Sequence, residues 1–417
     1  MEKFINHKMK TTSIGLIPED WEAKSLSQIG AFSKGKGVTR ANAQSGDIPC
    51  IRYGEIYTSH NDYIRSFYSH ISPEVAATAT KLKKGDVLFA GSGETKEEIG
   101  KAVAFLGEED AYAGGDIIIL SPNEGASSKY LGYVLNAATA VNQKASMGQG
   151  DAVVHIHAKE LGDVVIPFPK FDEQEKIADA LSGVDDMIGA LDEAIAKKRQ
   201  IKDGLMQQLL TGETRLPGFN GEWKREMLGK HATVLRGGSP RPIEAFLTTD
   251  PDGINWIKIG DVGVGAKYIV KTEERIIPEG ASRSREVKAG DFLLSNSMSF
   301  GRPYILKIDG CIHDGWLVIQ DYYDSFDTDY LYYALNATET IEQYKSMAAG
   351  SSVLNLNKDI VKRVLLNIPP IDEQKALASV LSSADEEIVS LESKCNKYAL
   401  VKQGMMQELL TGKTRLI

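Results

Sequence analysis

The sequence predicts a tandem repeat of a mixed α/β (α+β) domain, in which each copy is followed by a long helix that pairs with its twin. Three observations predict this fold class. The phrase GLMQQLLTGETRL at residues 204–216 recurs as GMMQELLTGKTRL at 404–416, 200 residues later. Each phrase ends a stretch with helical apolar spacing, and short β-rich runs separated by turn residues precede each stretch.

The repeat covers most of the chain, but unevenly. Residues 172–216 align with 372–416 without a gap, and nearly half of the aligned positions are identical. YLGYVLNAATAVNQKASMGQG (130–150) matches YLYYALNATETIEQYKSMAAG (330–350). IPCIRYGEI (48–56) and LKKGDVLFAGS (82–92) resemble INWIKIGDV (254–262) and VKAGDFLLSNS (287–297) more loosely. The chain is therefore two units of about 200 residues, with diverged fronts at 1–171 and 217–371 and nearly copied backs at 172–216 and 372–417.

Each front is predicted to be mixed α/β. The β-rich runs are DIPCIRY, GDVLFA, GDIIIL and DVVIPF in the first unit, and GINWIKI, GDFLLS and GWLVIQ in the second. Turn residues separate these runs, as is typical of short strands. One helix per unit, over 129–145 and 329–347, is predicted before the last strand.

Each back is predicted to be one helix, because apolar residues recur at alternating steps of four and three. The proposed seam consists of Ile177, Leu181, Val184, Ile188 and Leu191 in the first copy and Leu377, Leu381, Ile388 and Leu391 in the second. Asp172 and Asp372 are predicted N-caps, and Gly212 and Gly412 lie where each helix stops. A helix of about 40 residues is roughly 60 Å long.

A helix of that length cannot bury its apolar stripe against one small domain. The twin helix is the predicted partner, and an antiparallel coiled coil would hold the two fronts at opposite ends. Lys202 and Lys402 fall in the seam, where they are predicted to fix its register. The alternative is that each helix packs locally and separately.

Composition limits the classes of protein that need to be considered. The net charge is −9, and acids slightly outnumber bases in both fronts and both backs, so no segment is a broadly basic DNA-coating surface. Cys50, Cys311 and Cys395 lie far apart, as expected for thiols in a reducing cytoplasm. The N-terminus has no apolar signal region and no apolar run approaches 18 residues, so we expect a cytoplasmic protein without a membrane span.

Together these motifs resemble the specificity subunit of a type I restriction–modification system. Two diverged domains open with IPEDWE and GFNGEWK, and each closes in a DEQ…LLTG helix. The resemblance covers essentially the whole chain. It implies two target-recognition domains, each reading half of a split site in double-stranded DNA, and helices that act as a ruler. Half-sites would lie about 34–36 Å apart, one helical turn of DNA.

The resemblance also implies partners. The helices would dock two adenine-methyltransferase subunits, and motor-nuclease subunits would join later. S-adenosylmethionine and ATP are expected on those partners, with no cofactor, metal or catalytic residue in this chain. The chain shows no Asn/Asp-Pro-Pro-aromatic tetrapeptide of an adenine methylase, which agrees with a non-catalytic subunit.

Two loops in each unit carry the residue types that bind DNA. In the first unit these candidates are Lys34, Lys36, Thr39 and Arg40 on one loop and Ser92, Glu94, Thr95 and Lys101 on the other. In the second unit they are Arg236, Ser239 and Arg241, then Asn296, Ser297, Ser299 and Arg302. Glycines let backbone approach phosphate, Lys and Arg neutralise it, and Arg, Asn and Glu can pair with base edges. The alternative for any one loop is an ordinary solvated turn.

Further basic groups have two open interpretations: they contact DNA phosphates, or they belong to ordinary solvated faces. They are Lys81, Lys83 and Lys84 in the first unit and Arg283, Arg285 and Lys288 in the second. His155-x-His157 is interpreted as structural or DNA-facing because its twin is Asn355-x-Asn357. Gly412-Lys413-Thr414 is interpreted as a helix end rather than a phosphate loop.

The alternatives are two other classes of function. A tandem enzyme with an active site in each repeat would repeat acids, histidines or nucleophiles at matching positions. The matched acids, Asp86 with Asp291 and Glu55 with Asp261, are predicted to cap turns instead. A coiled-coil scaffold that does not bind DNA is disfavoured by the long, divergent α/β fronts.

Overall fold

The structure is a computed structural model that describes residues 8–150, 153–263, 265–296, 301–349 and 356–417. These residues form two compact units. Unit 1 comprises Met1–Asp192 with Ser393–Ile417, and unit 2 comprises Glu193–Glu392. Because the division falls within both long helices, each unit contains one front and one half of each helix.

Unit 1 contains two four-stranded sheets. The first has the order Ala102–Ala104, Val87–Ala90, Ile117–Pro122, Gly30–Lys34 and is antiparallel throughout. The second has the order Ser69–Ile71, Ile48–Ile51, Tyr112–Ala113, Thr80–Lys81. Short pairs join Met9–Thr12 with Gly15–Pro18, Val154–His155 with Ser92–Gly93, and Val165–Phe168 with Glu22–Ser25. Its shorter helices are Leu26–Ile29, Arg40–Asn42, Tyr53–Thr58, Pro73–Ala76, Ser128–Val134, Ala138–Met147 and Ala158–Gly162.

Strand Val87–Ala90 explains why GDVLFA reads as a continuous apolar run. Val87 and Phe89 belong to the core beneath the helices, whereas Leu88 and Ala90 belong to the core on the other side of the strand. Successive side chains of a strand point to opposite faces, so a strand covered on both faces needs apolar residues at every position. The central strand of this sheet is therefore fully buried.

Unit 2 repeats this plan with two five-stranded sheets. One has the order Thr233–Arg236, Trp316–Gln320, Phe292–Ser295, Pro303–Leu306, Tyr268–Ile269, and the other Leu247–Thr248, Glu274–Ile276, Ile254–Ile257, Gly310–Ile312, Arg285–Val287. A further pair joins Lys224–Met227 with Leu365–Ile368. Its shorter helices are Leu228–Lys230, Ile243–Ala245, Ile259–Asp261, Pro278–Ala281, Thr328–Asn336, Thr338–Ala348 and Lys358–Arg363. Every β-rich run predicted in either front contains a strand.

The single helix predicted before the last strand of each unit is wrong, because two helices occupy that stretch. They are Ser128–Val134 and Ala138–Met147 in unit 1 and Thr328–Asn336 and Thr338–Ala348 in unit 2. Between the two helices of each unit lies an alanine with extended backbone angles, Ala137 in unit 1 and Ala337 in unit 2. The side-chain amide of Asn136 donates to the carbonyl of Gly132 at 3.0 Å, and Asn336 donates to Tyr332 at 3.0 Å. Asparagine thus offers the backbone an alternative to a continued helix.

The two long helices are Phe171–Thr211, here called the central helix, and Ile371–Leu409, here called the C-terminal helix. Each begins one residue before the predicted cap, so Asp172 and Asp372 lie in the first turn and are not N-caps. Their carboxylates still face the positive end of the helix dipole there. Gly212 and Gly412, with φ of 79° and 71°, lie just beyond the helices, where a left-handed residue ends a helix.

The long helices pair antiparallel in each unit. In unit 1, Lys402 lies 2.8 Å from Asp185 of the central helix. Arg415, which follows the C-terminal helix, lies 2.6 Å from Glu173. Residue numbers therefore rise along the C-terminal helix as they fall along the central helix, so the two helices run in opposite directions. In unit 2 Lys202 pairs with Asp385 at 2.5 Å and Lys198 with Glu387 at 2.7 Å, with the same relation.

The apolar seam lies in this pairing. Ile177 and Leu181 share a core with Leu409 and Leu410 in unit 1, and Leu377 and Leu381 share one with Leu209 and Leu210 in unit 2. Ile388 is 7% exposed, whereas Val184, Ile188, Leu191 and Leu391 are half-buried. The predicted antiparallel pairing is confirmed, and the alternative of separate local packing is wrong.

Candidate nucleic-acid interface

In unit 1, two predicted DNA-binding loops begin at the same end of one sheet, where two of its strands terminate. Strands Gly30–Lys34 and Val87–Ala90 both pair antiparallel with Ile117–Pro122 and therefore run parallel to each other. Lys34 lies opposite Ile118 and Ala90 opposite Ile117, so both strands end at the start of the strand between them. We call this place edge 1; it comprises residues 34–42, 91–101 and the turn 114–116.

The first loop of edge 1 follows a close approach between two backbones. A Cβ atom on Gly35 would lie 2.1 Å from the carbonyl oxygen of Gly114, which no side chain tolerates. Beyond that point Lys36 and Arg40 are exposed, and the Thr39 hydroxyl donates to Asn42 at 2.5 Å. Lys34, also exposed, lies 3.8 Å from Asp116. The loop therefore presents three cations and one fixed hydroxyl to solvent.

The second loop of edge 1 has an exposed tip and a buried base. Glu94 and Thr95 are exposed at the tip. Ser92 is buried, with its hydroxyl 2.9 Å from Nδ1 of His155. The Lys101 ammonium turns inward and donates to the carbonyl of His60 at 2.7 Å; burial lowers the pKa of Lys101. Of the four predicted residues, two therefore project and two, Ser92 and Lys101, support the loop from within.

A second lysine holds the base of this loop. Lys144 is 1% exposed, and its ammonium donates to the carbonyl of Gly100 at 2.6 Å. Burial lowers the pKa of Lys144 to about 7, because the surrounding apolar groups disfavour the charged form. Sequence reasoning missed this residue, since a lysine within a helix is normally assigned to the surface.

Unit 2 has the equivalent edge. Strands Thr233–Arg236 and Phe292–Ser295 pair antiparallel with Trp316–Gln320, with Arg236 opposite Leu317. A Cβ atom on Gly237 would lie 2.1 Å from the carbonyl oxygen of His313, as found for Gly35 and Gly114 in unit 1. We call this place edge 2; it comprises residues 236–242, 296, 301–302 and the turn 313–315.

Asp314 connects the two loops of edge 2. Its carboxylate accepts a hydrogen bond from the Ser239 hydroxyl at 3.0 Å and lies 3.5 Å from an Nη of Arg241. Its backbone carbonyl accepts from Nε of Arg236 at 3.1 Å and from the amide of Asn296 at 3.4 Å. Four predicted residues from two loops therefore meet at one residue that sequence reasoning did not select.

The electrostatics of Asp314 favour its charged form. Burial alone would raise its pKa, but the hydrogen bond from Ser239 and the charges of His313, Arg236 and Arg241 outweigh burial and lower the pKa. Nε2 of His313 lies 3.0 Å from the carboxylate. The signal that could have identified Asp314 is its register: the turn His313-Asp314-Gly315 occupies the place of Gly114-Gly115-Asp116.

The remaining predicted residues of edge 2 are only partly described. The Arg302 guanidinium is half-buried and stacks 5.7 Å from the Tyr304 ring. Ser297 and Ser299 lie outside the described residues. Arg285 extends the basic surface, since its Nε lies 3.4 Å from the carbonyl oxygen of Arg236. In unit 1, by contrast, Lys81 and Lys84 each pair with an acid at 2.7 Å.

The matched acids act as turn caps, as predicted. The carboxylates of Asp86 and Asp291 accept backbone hydrogen bonds at 2.8 Å from the residues three positions earlier. Glu55 and Asp261 do the same at 3.1 and 2.7 Å. No cluster of three or more His, Cys, Asp or Glu side chains suited to a metal occurs within the described ranges. Among the helices described, none combines the length and apolar character needed to cross a membrane.

The two units share one arrangement of strands and helices but differ in the residues of their loops. This combination defines a tandem recognition protein. Residues 18–202 and 222–399 match the family model of the type I restriction modification DNA specificity domain. The chain belongs to this family and carries two such domains. It is a specificity subunit of the type I restriction–modification class, as the resemblance predicted.

Individual relatives cover the full length. The chain is 25% identical over 443 residues to the putative type I restriction enzyme MjaX specificity subunit of Methanocaldococcus jannaschii, covering 100% of this chain and 99% of the relative. It is 23% identical over 427 residues to the MjaVIII specificity subunit of the same organism, covering 96% and 94%.

Two solved structures share the fold. The type I restriction–modification S subunit from M. genitalium has a TM-score of 0.58 at 12% identity, covering 98% of each chain. A chain from a study of complex assembly and conformational transition of the type I R-M system has a TM-score of 0.61 at 17% identity. It covers 95% of this chain and 99% of its own length.

Proposed function

We propose that edge 1 and edge 2 each read one half of a split site in double-stranded DNA. The recognition domains correspond to residues 1–171 and 217–371, and the helical segments to 172–216 and 372–417. The observation that carries this proposal is the convergence of two candidate loops at the same sheet edge in both units, with different polar residues on each. Two units that share a fold but present different polar residues suit two half-sites of different sequence.

The chemistry of each edge fits DNA. At edge 1, Lys34, Lys36 and Arg40 would neutralise phosphates, while Glu94 and Thr95 at the loop tip would face base edges. A carboxylate accepts from the cytosine amino group, and a hydroxyl pairs with several bases. Ser92 and Lys101 would position that tip. The net charge of −9 is compatible with this role, because Lys34, Lys36 and Arg40 provide a local group of cations on one loop.

Edge 2 carries a different set. Arg236, Arg241 and Arg302 supply guanidinium groups, which bind phosphate or guanine bidentately. Ser239 and Asn296 supply a hydroxyl and an amide, and Ser297 and Ser299 complete the proposed set. Because the two edges differ at nearly every polar position, the two half-sites would differ in sequence.

The long helices would set the spacing and dock two identical adenine-methyltransferase subunits, with motor-nuclease subunits joining the full complex. Nearly copied helices support this, because two copies of one partner need two copies of one surface. Methyl transfer, with S-adenosylmethionine, and DNA translocation, with ATP, would take place on those partners. This chain would be non-catalytic and, with its partners, act on cytoplasmic DNA.

The test is to co-express the chain with its methyltransferase partner and map N6-methyladenine across the host DNA. A split motif with a fixed gap is expected. Arg40→Ala should weaken recognition of one half-site and Arg241→Ala recognition of the other. Lys230→Ala should change neither, because this exposed lysine precedes the strand Thr233–Arg236 and edge 2 begins at the other end of that strand. Equal loss at both halves for each arginine variant, or no loss, would contradict the proposal.

A further inference from the structure

We propose that Asp314 determines the specificity of unit 2, by holding the guanidinium groups of Arg236 and Arg241 so that they face a guanine in the second half-site. This inference rests on the proposed function of edge 2. It adds to that function a positioning residue and the class of base that is recognised.

Arg236 is held in a way that leaves its recognition face open. Its Nε donates to the carbonyl oxygen of Asp314 at 3.1 Å, and its side chain is otherwise exposed. A guanidinium that is held through Nε still has two terminal nitrogens whose N–H groups can donate. Two parallel N–H donors match the O6 and N7 acceptors of guanine in the major groove.

Arg241 is held from the other side of the same residue. One Nη lies 3.5 Å from the carboxylate of Asp314, and 83% of the Arg241 side chain is exposed. A long, flexible side chain loses conformational entropy when it binds. A carboxylate behind the guanidinium lowers that loss because it restricts the side chain beforehand.

Asp314 is itself fixed. The hydroxyl of Ser239 donates to its carboxylate at 3.0 Å and accepts from its backbone N–H at 3.2 Å. His313 Nε2 lies 3.0 Å from the same carboxylate oxygen. A guanidinium anchored to such a group has a defined direction, which is what separates base reading from simple attraction to phosphate.

The surroundings of Asp314 favour guanine over adenine. Adenine presents one acceptor and one donor in the major groove and is read by an amide, whereas guanine presents two acceptors. The amide nitrogen of Asn296 is directed at the Asp314 carbonyl at 3.4 Å, whereas the nearby Arg236, Arg241 and Arg285 are exposed. In unit 1 the corresponding turn has glycine at the position of Asp314, and its carboxylate, Asp116, comes one residue later and lies 3.8 Å from the ammonium of Lys34 instead of an arginine.

The experiment uses the complete specificity chain with its methyltransferase partner. Methylation rates are measured on duplexes carrying each base at each position of the second half-site. Asp314→Ala is expected to reduce the preference for guanine at one position about tenfold, and Arg236→Lys, which removes a bidentate contact, to affect the same half-site comparably. Asp314→Asn keeps an acceptor for Ser239 and should retain part of the preference.

Ser284→Ala is the matched control. The Ser284 hydroxyl donates to the carbonyls of Gly238 at 2.7 Å and Ile312 at 3.2 Å, so it anchors the same loop without contacting the Asp314 side chain. This variant should keep the guanine preference, and the first half-site should be read normally in all variants. Equal loss in Ser284→Ala and Asp314→Ala would make Asp314 a loop anchor only and overturn the inference.

The outcomes also separate this inference from the function on which it rests. A wild-type complex that methylates a split site without guanine in the second half would overturn the inference and leave the proposed function standing. A wild-type complex that methylates no split site would overturn both. Should Asp314→Ala fail to fold, Asp314→Asn and Arg236→Lys still decide the matter, since unchanged guanine preference in both contradicts the proposal.

Discussion

The ammonium group of Lys402 donates a hydrogen bond of 2.6 Å to the carboxylate of Asp62, which fastens the C-terminal helix to the front of unit 1. The same ammonium lies 2.8 Å from Asp185 of the central helix. Burial would lower the pKa of Lys402, but the two carboxylates outweigh burial and raise it, so the lysine stays charged. One charge thus joins three segments of the unit.

Unit 2 repeats the contact in a weaker form. Lys202 pairs with Asp385 at 2.5 Å, and among the residues described in unit 2 it has no second carboxylate. Tyr133 and Tyr333 donate to Asp185 and Asp385, respectively, at 2.6 Å each. The tyrosine–aspartate–lysine arrangement is therefore a shared feature of the repeat, and Asp62 is an addition in unit 1.

The Lys402 contact predicts a large difference between twin substitutions. Lys402→Met would leave Asp62 and Asp185 without their cation, and the Asp62 side chain is only 8% exposed. Removing one partner of a buried ion pair costs about 3–5 kcal/mol, because the remaining charge is uncompensated. Lys202 and Asp385 are 23% and 30% exposed, so Lys202→Met should cost about 1 kcal/mol.

Denaturant unfolding of the complete chain, followed by calorimetry to separate the transitions, measures both losses. The twin variant is the control, because the same substitution is made in the same helical register. Equal losses in the two variants would show that Asp62 adds nothing to the contact.

The two lysines also show what the sequence reveals and what it does not. Their place in the helix seam followed from the heptad spacing, since period alone fixes which side of a helix a residue occupies. Asp62 could not be predicted as a partner of Lys402, because it lies 340 positions away and outside any repeated motif. Periodicity identifies a face, whereas a specific contact depends on tertiary packing.

The loops of the interface also have some features that the sequence predicted and others that it did not. The positions of both loops in each unit followed from the predicted strands on either side of them. Glycines in these loops lie where two backbones approach closely, as at Gly35 and Gly237. The inward direction of Lys101 was not predictable, because loop lysines usually face solvent. Asp314 was missed because a single acid in a turn has no distinguishing pattern until the register of three strands places it between two loops.

Burial of the helix seam predicts the response of matched leucines. Leu181 and Leu381 are both fully buried, and truncation of either to alanine should cost about 2–5 kcal/mol through lost transfer energy and a residual cavity. Met187→Ala and Val389→Ala, at positions 44% and 61% exposed on the same helices, should stay within about 0.5 kcal/mol. Urea unfolding midpoints measure all four, and a large loss for Met187 or Val389 would show that the opposite helix face is covered.

Lys144 predicts a pH dependence of stability in unit 1. Its pKa is lowered by burial to about 7, against an ordinary value of 10.5, so between these values the unfolded chain binds a proton that the folded chain does not. Stability contributed by this group therefore rises with pH above 7, by at most about 1.4 kcal/mol per pH unit. Lys144→Met removes that rise.

The measurement is the free energy of unfolding of wild type minus that of Lys144→Met at pH 6 to 9. The difference should be flat below pH 7 and shift in favour of the wild type above it. Tyr344→Phe, at the twin position, is the control: burial raises the pKa of Tyr344, so its difference from wild type should be constant across this range. A flat difference for Lys144→Met would mean that the lysine keeps its ordinary pKa.

Ionic strength distinguishes cations that contact phosphate from those already paired within the protein. Lys36 is exposed on the first loop of edge 1, whereas the ammonium of Lys84, also exposed, lies 2.7 Å from Glu108. Each phosphate neutralised releases a counterion, so Lys36→Gln should reduce the slope of log K against log salt by about 0.9. Lys84→Gln should leave the slope unchanged, because that charge is already balanced. Filter binding of the methyltransferase complex between 50 and 300 mM salt gives both slopes. A reduced slope for Lys84→Gln together with an unchanged slope for Lys36→Gln would place the phosphate contact on the 81–84 segment instead of edge 1.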